Sequence, residues 1–385
     1  MPRIWPAPHT PIETGLNAFT QACRALQAEG RSWIDLSESN PTRVALPYRR
    51  AEILEAWADP RLFDYEARPF GREETRAFLA AELGLPPSRL ALCASTSEAY
   101  AYLFKLLAES GDEVLVPQPS YPLLEHLAHY AGLRLRPYRL EYDGEWCIDW
   151  EDLEAQRSER SALIVVVHPN NPTGSYLHRE DWSRLLRFGL PIVSDEVFVS
   201  YPLEAEAPPQ RPEFLSEAEA PVFVLGGLSK QAALPQLKLA WMGVFGKEPC
   251  VAPVLAALEL IADTFLSVNT AVQLAAPKLI ELSRETQQAL HRRVRRNYAA
   301  AHRALAQSPL SPLRVQGGWS LPIRMPAIQS DEAWALEALQ AGVRTQPGYF
   351  YDFEGCFLVI GLIIEEERFD EGIARLRRCC EERCR

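Results

Sequence analysis

The chain has little that would hold it to a membrane or to nucleic acid. Its longest apolar run near the end, "CFLVIGLII" (Cys356 to Ile364), is too short to cross a bilayer and reads as a buried strand. Long runs of Lys and Arg are missing, and the formal net charge is -11. That balance argues against nucleic acid or an anionic membrane as the principal partner, and leaves room for a small anionic ligand gripped by a few local cations. The phosphate-loop fingerprints G-x-G-x-x-G and G-x-x-x-x-G-K-[ST] are absent. The eight cysteines have no framework spacing, and Cys379, Cys380 and Cys384 in "CCEERCR" lack a second cluster or a neighbouring histidine. No metal site is expected there, and a reducing cytoplasm is the simpler reading. The proline-rich opening "MPRIWPAPHTPIET" lacks an apolar core segment, so no signal peptide is expected.

What is present is ordinary globular composition, 47% hydrophobic and 24% charged, over 385 residues, enough for two units sharing one chain. Through the middle, helical patterns alternate with short apolar strands. "EETRAFLAAELG" has helical spacing and stops at Gly84, and "TSEAYAYLFKLLAESG" reads as a helix closed by Gly111. "DEVLVPQPSYP", "SALIVVVHPNNPTG", "LPIVSDEVFVSYP" and "APVFVLGGLSK" each read as a buried strand ending in polar or Gly residues. The alternation predicts an α/β fold with a mostly parallel sheet, whose ligand lies beyond the C-terminal strand ends. After about residue 275 the character changes. A long helix, "TQQALHRRVRRNYAAAHRALAQ", precedes strands in "LRVQGGWSLPIRMP" and "CFLVIGLII" and a last helix, "RFDEGIARLRRCCEERC". The expected division is a large unit over 46–275 and a smaller α+β unit made of 1–45 and 276–385. No internal repeat is visible, and "LEAEAPPQRPEF" (Leu203 to Phe214) reads as a Pro-rich loop.

Asn171, Asp195 and Lys230 fall at the predicted strand ends. The stretch "LGGLSKQAALPQLKLAWMGVFG" (Leu225 to Gly246) has only two charges, Lys230 and Lys238, in otherwise apolar sequence. Either the lysines snorkel to the surface, or one is a desolvated amine with a lowered pKa, able to attack a carbonyl. Asp195 in "IVSDEVF" either pairs with a cationic ring nitrogen or caps a helix. Asn171 lies in "HPNNPTG", whose composition is turn chemistry in any case. Ser95, Thr96 and Ser97 precede a helix and read as an N-cap or as an anion site.

Taken in order, these pieces resemble the aspartate-aminotransferase-like, class I/II, enzymes of fold type I that use pyridoxal phosphate. The resemblance covers nearly the whole chain and rests on "FDYEARPFGREETRAFLAAELG", "CASTSEAYAYLFKLLAESGDEVLVPQPSYP", "VVVHPNNPTG", "VSDEVF", "GLSKQAALPQLKLAWM" and "GVRTQPGYFYDF". It implies a three-layer large domain plus a smaller α+β domain. It implies that Lys230 forms the Schiff base with the cofactor aldehyde and moves the substrate proton. Asp195 is implied to keep the pyridine nitrogen protonated. Asn171 would bond the phenolic oxygen and border the substrate, across an Asn171–Pro172 bond able to be cis. Tyr121 would stack on the ring, and Thr96 and Ser97 would hold the phosphate. Tyr65 would reach the phosphate of a partner subunit, which implies a homodimer with shared sites.

Four positions depart from the family pattern. Phe198 stands where a tyrosine hydroxyl usually touches the phenolic oxygen, though its ring still borders the cofactor. Gly227 stands at a phosphate-binding Ser or Thr position, and Lys238 replaces an arginine, keeping charge without the bidentate fork. Val359 falls where the arginine that clamps the substrate α-carboxylate is expected. Either another arginine takes over, Arg43 in "SESNPTRV" before Arg324 or Arg344, or the substrate lacks a free α-carboxylate. The leading expectation is transfer of an amino group from an amine or amino acid to a 2-oxo acid. Lyase or decarboxylase chemistry on the same cofactor, and a non-catalytic protein of the same fold, are the alternatives.

Overall fold

The computed structural model describes residues 16–204 and 209–385. The opening segment read for a signal peptide lies outside them, as does the middle of the Leu203–Phe214 loop.

Eight strands form the large sheet: β1 (Leu90–Cys93), β2 (Glu113–Gln118), β3 (Arg134–Tyr142), β4 (Trp146–Ile148), β5 (Ser161–Val167), β6 (Ile192–Asp195), β7 (Val222–Gly227) and β8 (Ala240–Phe245). Their spatial order is β1-β8-β7-β6-β5-β2-β3-β4. The run from β7 to β3 is parallel; β8 is antiparallel to both neighbours and β4 is antiparallel to β3. The α/β expectation holds. Strands β3 and β8 carry weak sequence signals: "RLRPYRLEY" is too polar to read as buried, and "AWMGVF" is masked by the lysine-bearing stretch before it.

β5 shows why this sheet sits centrally. Leu163 and Val165 pack into one apolar cluster, while Ile164 and Val166 pack into another on the opposite face. A strand buried on both faces needs an uninterrupted apolar run, which is what "ALIVVV" supplies. The helices of the chain's first part include α1 (Ala18–Ala28), α2 (Glu73–Leu83), α3 (Thr96–Leu107), α4 (Glu248–Phe265) and α5 (Thr270–Leu282). α2 ends as predicted at Gly84, in the left-handed region with φ 70°. α3 stops four residues before Gly111; its C-cap is Ala108, and Gly111 at φ 92° instead turns the chain into β2.

The smaller sheet has the order β9 (Ser311–Pro312), β10 (Ser320–Arg324), β12 (Phe357–Gly361), β11 (Gln346–Pro347), all antiparallel. It packs with α6 (Arg284–Leu305), α7 (Asp331–Gln340) and α8 (Glu366–Arg383). On α6 the buried residues Leu290, Val294, Asn297, Ala301 and Leu305 recur every three or four positions, one face of a helix. Asn297 donates from Nδ2 to the carbonyls of Leu362 and Ile364, both at 2.9 Å, pinning the chain just after β12. Phe357 and Val359 of the small sheet share an apolar cluster with Ile164 and Val166 of the large one, so the two sheets meet through a common core. Among the described residues no single helix is long and apolar enough to cross a membrane.

Candidate active site

Parallel pairing puts the ends of β5, β6 and β7 on one edge, with Asp195 in register with Val167 on one side and Leu225 on the other. Three segments leave that edge: the His168–Gly174 turn, the Asp195–Phe198 turn and the short helix Leu228–Gln231 carrying Lys230. The candidates read from sequence at these ends are therefore brought together by sheet register.

Lys230 is half-buried, and its amine makes no hydrogen bond or ion pair among the described residues. The Nζ lies 5.2 Å from the Phe198 ring centroid and 5.0 Å from that of Trp319. Burial against these rings lowers the amine's pKa to about 8, with the Asp195 carboxylate opposing the shift. The lysine backbone is fixed from behind, where the Tyr201 hydroxyl donates to its carbonyl at 2.7 Å. Trp319 belongs to the segment leading into β10, so the smaller unit supplies one wall of the lysine's surroundings.

Asp195 accepts the Val197 N–H at Oδ1, 3.2 Å, and the Tyr100 hydroxyl at Oδ2, 3.1 Å. Burial raises its pKa to about 6, although those two donors and Lys230 pull the other way. Its neighbour Glu196 is engaged elsewhere, accepting from Ser194 Oγ at 3.1 Å and pairing with Arg211 at 2.5 Å. Asn171 follows the buried Asn170, which donates to the Pro119 carbonyl at 2.9 Å and accepts from Ser120 Oγ at 3.0 Å. The Asn171–Pro172 bond is cis. Asn171 Oδ1 accepts from Ser320 Oγ on β10 at 3.0 Å, which leaves its Nδ2 as a donor.

Ser95 caps α3 by accepting the Glu98 N–H at 3.2 Å, and Thr96 and Ser97 open the helix. Lys238 is exposed, with φ 55°, just before β8. At Gly227 an added Cβ would come within 3.2 Å of the Leu239 carbonyl, so a serine or threonine there would press on the strand that Lys238 enters. Tyr121 is exposed, following the cis Gln118–Pro119 bond, and Tyr65 is 80% exposed in the loop before α2.

The carboxylate candidates are spread apart. Val359 is 1% exposed in the middle of β12, in register with Pro322 and Gln346. Arg43 is paired with Glu38 at 3.6 Å and its side chain is 73% exposed. Its segment is nonetheless tied to the lysine loop, because the Tyr48 hydroxyl lies 2.8 Å from the Ala233 carbonyl and 3.4 Å from that of Pro41. Arg344 is paired with Asp35 at 3.1 Å. Arg324 lies 5.9 Å from the Tyr142 ring centroid and 5.6 Å from that of Phe357, and all three line a cleft of about 620 Å³. That cleft is lined by none of Lys230, Asp195 or Asn171; the reactive groups converge at the strand ends instead.

Sequence reasoning misses Tyr100, Ser320 and Trp319. For Tyr100 a signal existed, since it lies one helical turn after Thr96 and faces the same way. For the other two none did: Ser320 is 149 positions from Asn171.

The donor set fits pyridoxal phosphate: an amine with no polar partner among the described residues for an aldehyde, a carboxylate for a ring nitrogen, an amide donor for a phenolic oxygen and, for a phosphate, a helix start that follows β1, the strand paired with the one Lys238 precedes. Residues 32–360 match the family model for aminotransferase class I and II. A tyrosine aminotransferase of Mus musculus is 24% identical over 330 residues, 81% of this chain and 71% of the relative. An S-alkyl-thiohydroximate lyase of Arabidopsis thaliana is 28% identical over 51% of this chain and 44% of its own length. In structure, an alanine aminotransferase from Pyrococcus furiosus superposes with a TM-score of 0.84 at 23% identity, covering 94% of this chain and 96% of the other. An aspartate aminotransferase double mutant from Thermus thermophilus gives 0.80 at 21% identity, covering 95% and 97%. The chain belongs to the aminotransferase class I and II family, and is a fold type I aminotransferase with pyridoxal phosphate as cofactor.

Proposed function

We propose that Lys230 is the residue that carries the cofactor covalently and then moves the substrate proton, with Asp195 facing the ring nitrogen and Asn171 donating to the phenolic oxygen. The observation that carries this reading is the Lys230 amine: half-buried, without a polar partner among the described residues, with a pKa of about 8. A substantial fraction is therefore neutral near physiological pH and able both to attack an aldehyde and to accept a proton. When bound, the cofactor supplies an electron sink for the charge left when the substrate loses that proton.

Thr96, Ser97 and Lys238 hold the phosphate in this reading, Tyr121 lies over the ring, and Phe198 and Trp319 keep water from the amine. Arg43 takes the substrate carboxylate that Val359 cannot hold, because its segment is already tethered beside the lysine loop through Tyr48. The large unit of 46–275 carries the cofactor, and the unit of 1–45 and 276–385 borders the substrate. The exposed Tyr65 suits a homodimer with shared sites, and the cysteines, all unpaired, suit the cytoplasm.

The test is reconstitution with pyridoxal phosphate, borohydride reduction and peptide mapping. The expected outcome is one reduced adduct at Lys230 and, for Lys230→Ala, loss of the adduct together with a fall in kcat of at least about a thousandfold. An adduct elsewhere overturns the assignment. A screen of amines for conversion of the cofactor to its pyridoxamine form then identifies the donor.

A further inference from the structure

Tyr100 is 2% exposed on the sheet-facing side of α3, and its hydroxyl meets Asp195 Oδ2 at 3.1 Å. The other carboxylate oxygen accepts the Val197 N–H at 3.2 Å. The groups that face Asp195 from the elements around it are few. Tyr100 comes from α3, Glu196 follows on its own segment, and Lys230 comes from the helix after β7. Glu196 is held by Arg211 and Ser194, and His168, just after β5, is turned to the Leu177 N–H at 2.8 Å. Tyr100 is thus the one side chain that hydrogen-bonds this carboxylate among the described residues.

We infer that Tyr100 is a positioning residue for the acid: it fixes the carboxylate's orientation, favours its ionised form, and sets its distance from the phosphate end of the site. This rests on the cofactor reading above. An O–H donor stabilises the charged form of a carboxylate, and such a bond to an ionised acceptor is stronger than a neutral one. Tyr100's own pKa is pushed well above its ordinary value by burial and by Asp195, so its hydroxyl remains a donor throughout the working range. The distance is set by the helix. Thr96, at the start of α3, and Tyr100 are one turn apart, about 6 Å along the axis. One rigid turn therefore carries both the helix start proposed for the phosphate and the hydroxyl that anchors the acid. A pyridine ring spanning those two ends is gauged by that turn.

The experiment uses Tyr100→Phe, which keeps the ring and its packing while removing the hydroxyl, alone and in an Asp195→Asn background. In the apoprotein, carbon NMR of labelled aspartate, assigned with Asp195→Asn, follows the Asp195 titration directly. The expected result is a midpoint near 6 that rises by about one unit in Tyr100→Phe. In pyridoxal phosphate titrations at pH 7, the same substitution weakens binding by about tenfold in the native background and by less than about twofold in the Asp195→Asn background. An unmoved Asp195 midpoint, or equal loss of affinity in both backgrounds, reduces Tyr100 to packing and overturns the inference. Apoprotein that binds no pyridoxal phosphate in any variant overturns the functional reading instead, while the Asp195 titration still decides the role of Tyr100.

Discussion

Two ionisable residues at the strand ends are shifted in opposite directions by the same physical cause. Burial disfavours charge, so it lowers the Lys230 amine to about 8 and raises the Asp195 carboxyl to about 6. Both become responsive close to neutrality, where proton transfer is efficient. Their mutual attraction moderates each shift without cancelling it. Arg43 is proposed to hold a substrate carboxylate, and that role can be tested. Charge-assisted hydrogen bonds contribute about 1.5–3 kcal/mol, so Arg43→Ala should raise KM for an acidic substrate by roughly ten- to a hundredfold and leave kcat nearly unchanged. Steady-state kinetics check this, and an unchanged KM would remove Arg43 from that role.

At the scale of elements, the His168–Gly174 turn does more than expose Asn171. Its last residue, Gly174, has φ 67°, and its carbonyl accepts N–H bonds from Gln316 at 3.1 Å and Gly317 at 3.0 Å. Those partners lie just before Trp319 in the chain, so the turn and the lysine's aromatic wall are tied together. A Cβ at position 174 would approach the Gly317 carbonyl to 2.5 Å. Gly174→Ala therefore combines a left-handed backbone with a main-chain clash, and should destabilise the protein by about 2 kcal/mol or more. Urea unfolding measures the loss, and restoration of cofactor affinity at low temperature would separate it from a direct effect on the site. The Thr-Gly ending of "HPNNPTG" announces a turn from sequence. That the turn docks on a segment so distant in the chain is visible only once the sheets are packed.

The whole molecule should register its buried groups as a pH dependence of stability. His168 is buried and neutral: its Nδ1 accepts the Leu177 N–H, and desolvation pulls its pKa to about 4. Its unfolded value is near 6.5, so unfolding takes up a proton in between, and stability is lost as pH falls from about 6.5 towards 4. Asp195 acts in the opposite sense in the apoprotein. Its folded pKa is raised, so the stability from its retained proton is present at low pH and is lost as pH rises through about 4 to 6. The two partly offset each other. His168→Gln, which keeps an acceptor for Leu177, should flatten the fall in urea midpoint between about pH 7 and pH 4.5, whereas Asp195→Asn should steepen it.

Local sequence is enough to specify the α/β class, the central buried strands, the caps at Ser95 and Gly84 and the order Asn171, Asp195, Lys230. These are encoded in apolar runs, turn residues and spacing along the chain. It also specifies that the side chain of Val359 is apolar and offers a carboxylate no donor. Only three-dimensional packing brings Tyr100 to Asp195, turns the Asn171 amide with Ser320, and sets Phe198 and Trp319 together around Lys230. The physical reason is that a pKa or a hydrogen bond depends on what surrounds a group in space. In a sheet ordered β1-β8-β7-β6-β5-β2-β3-β4, with a second sheet packed against it, those surroundings come from residues far apart in the chain.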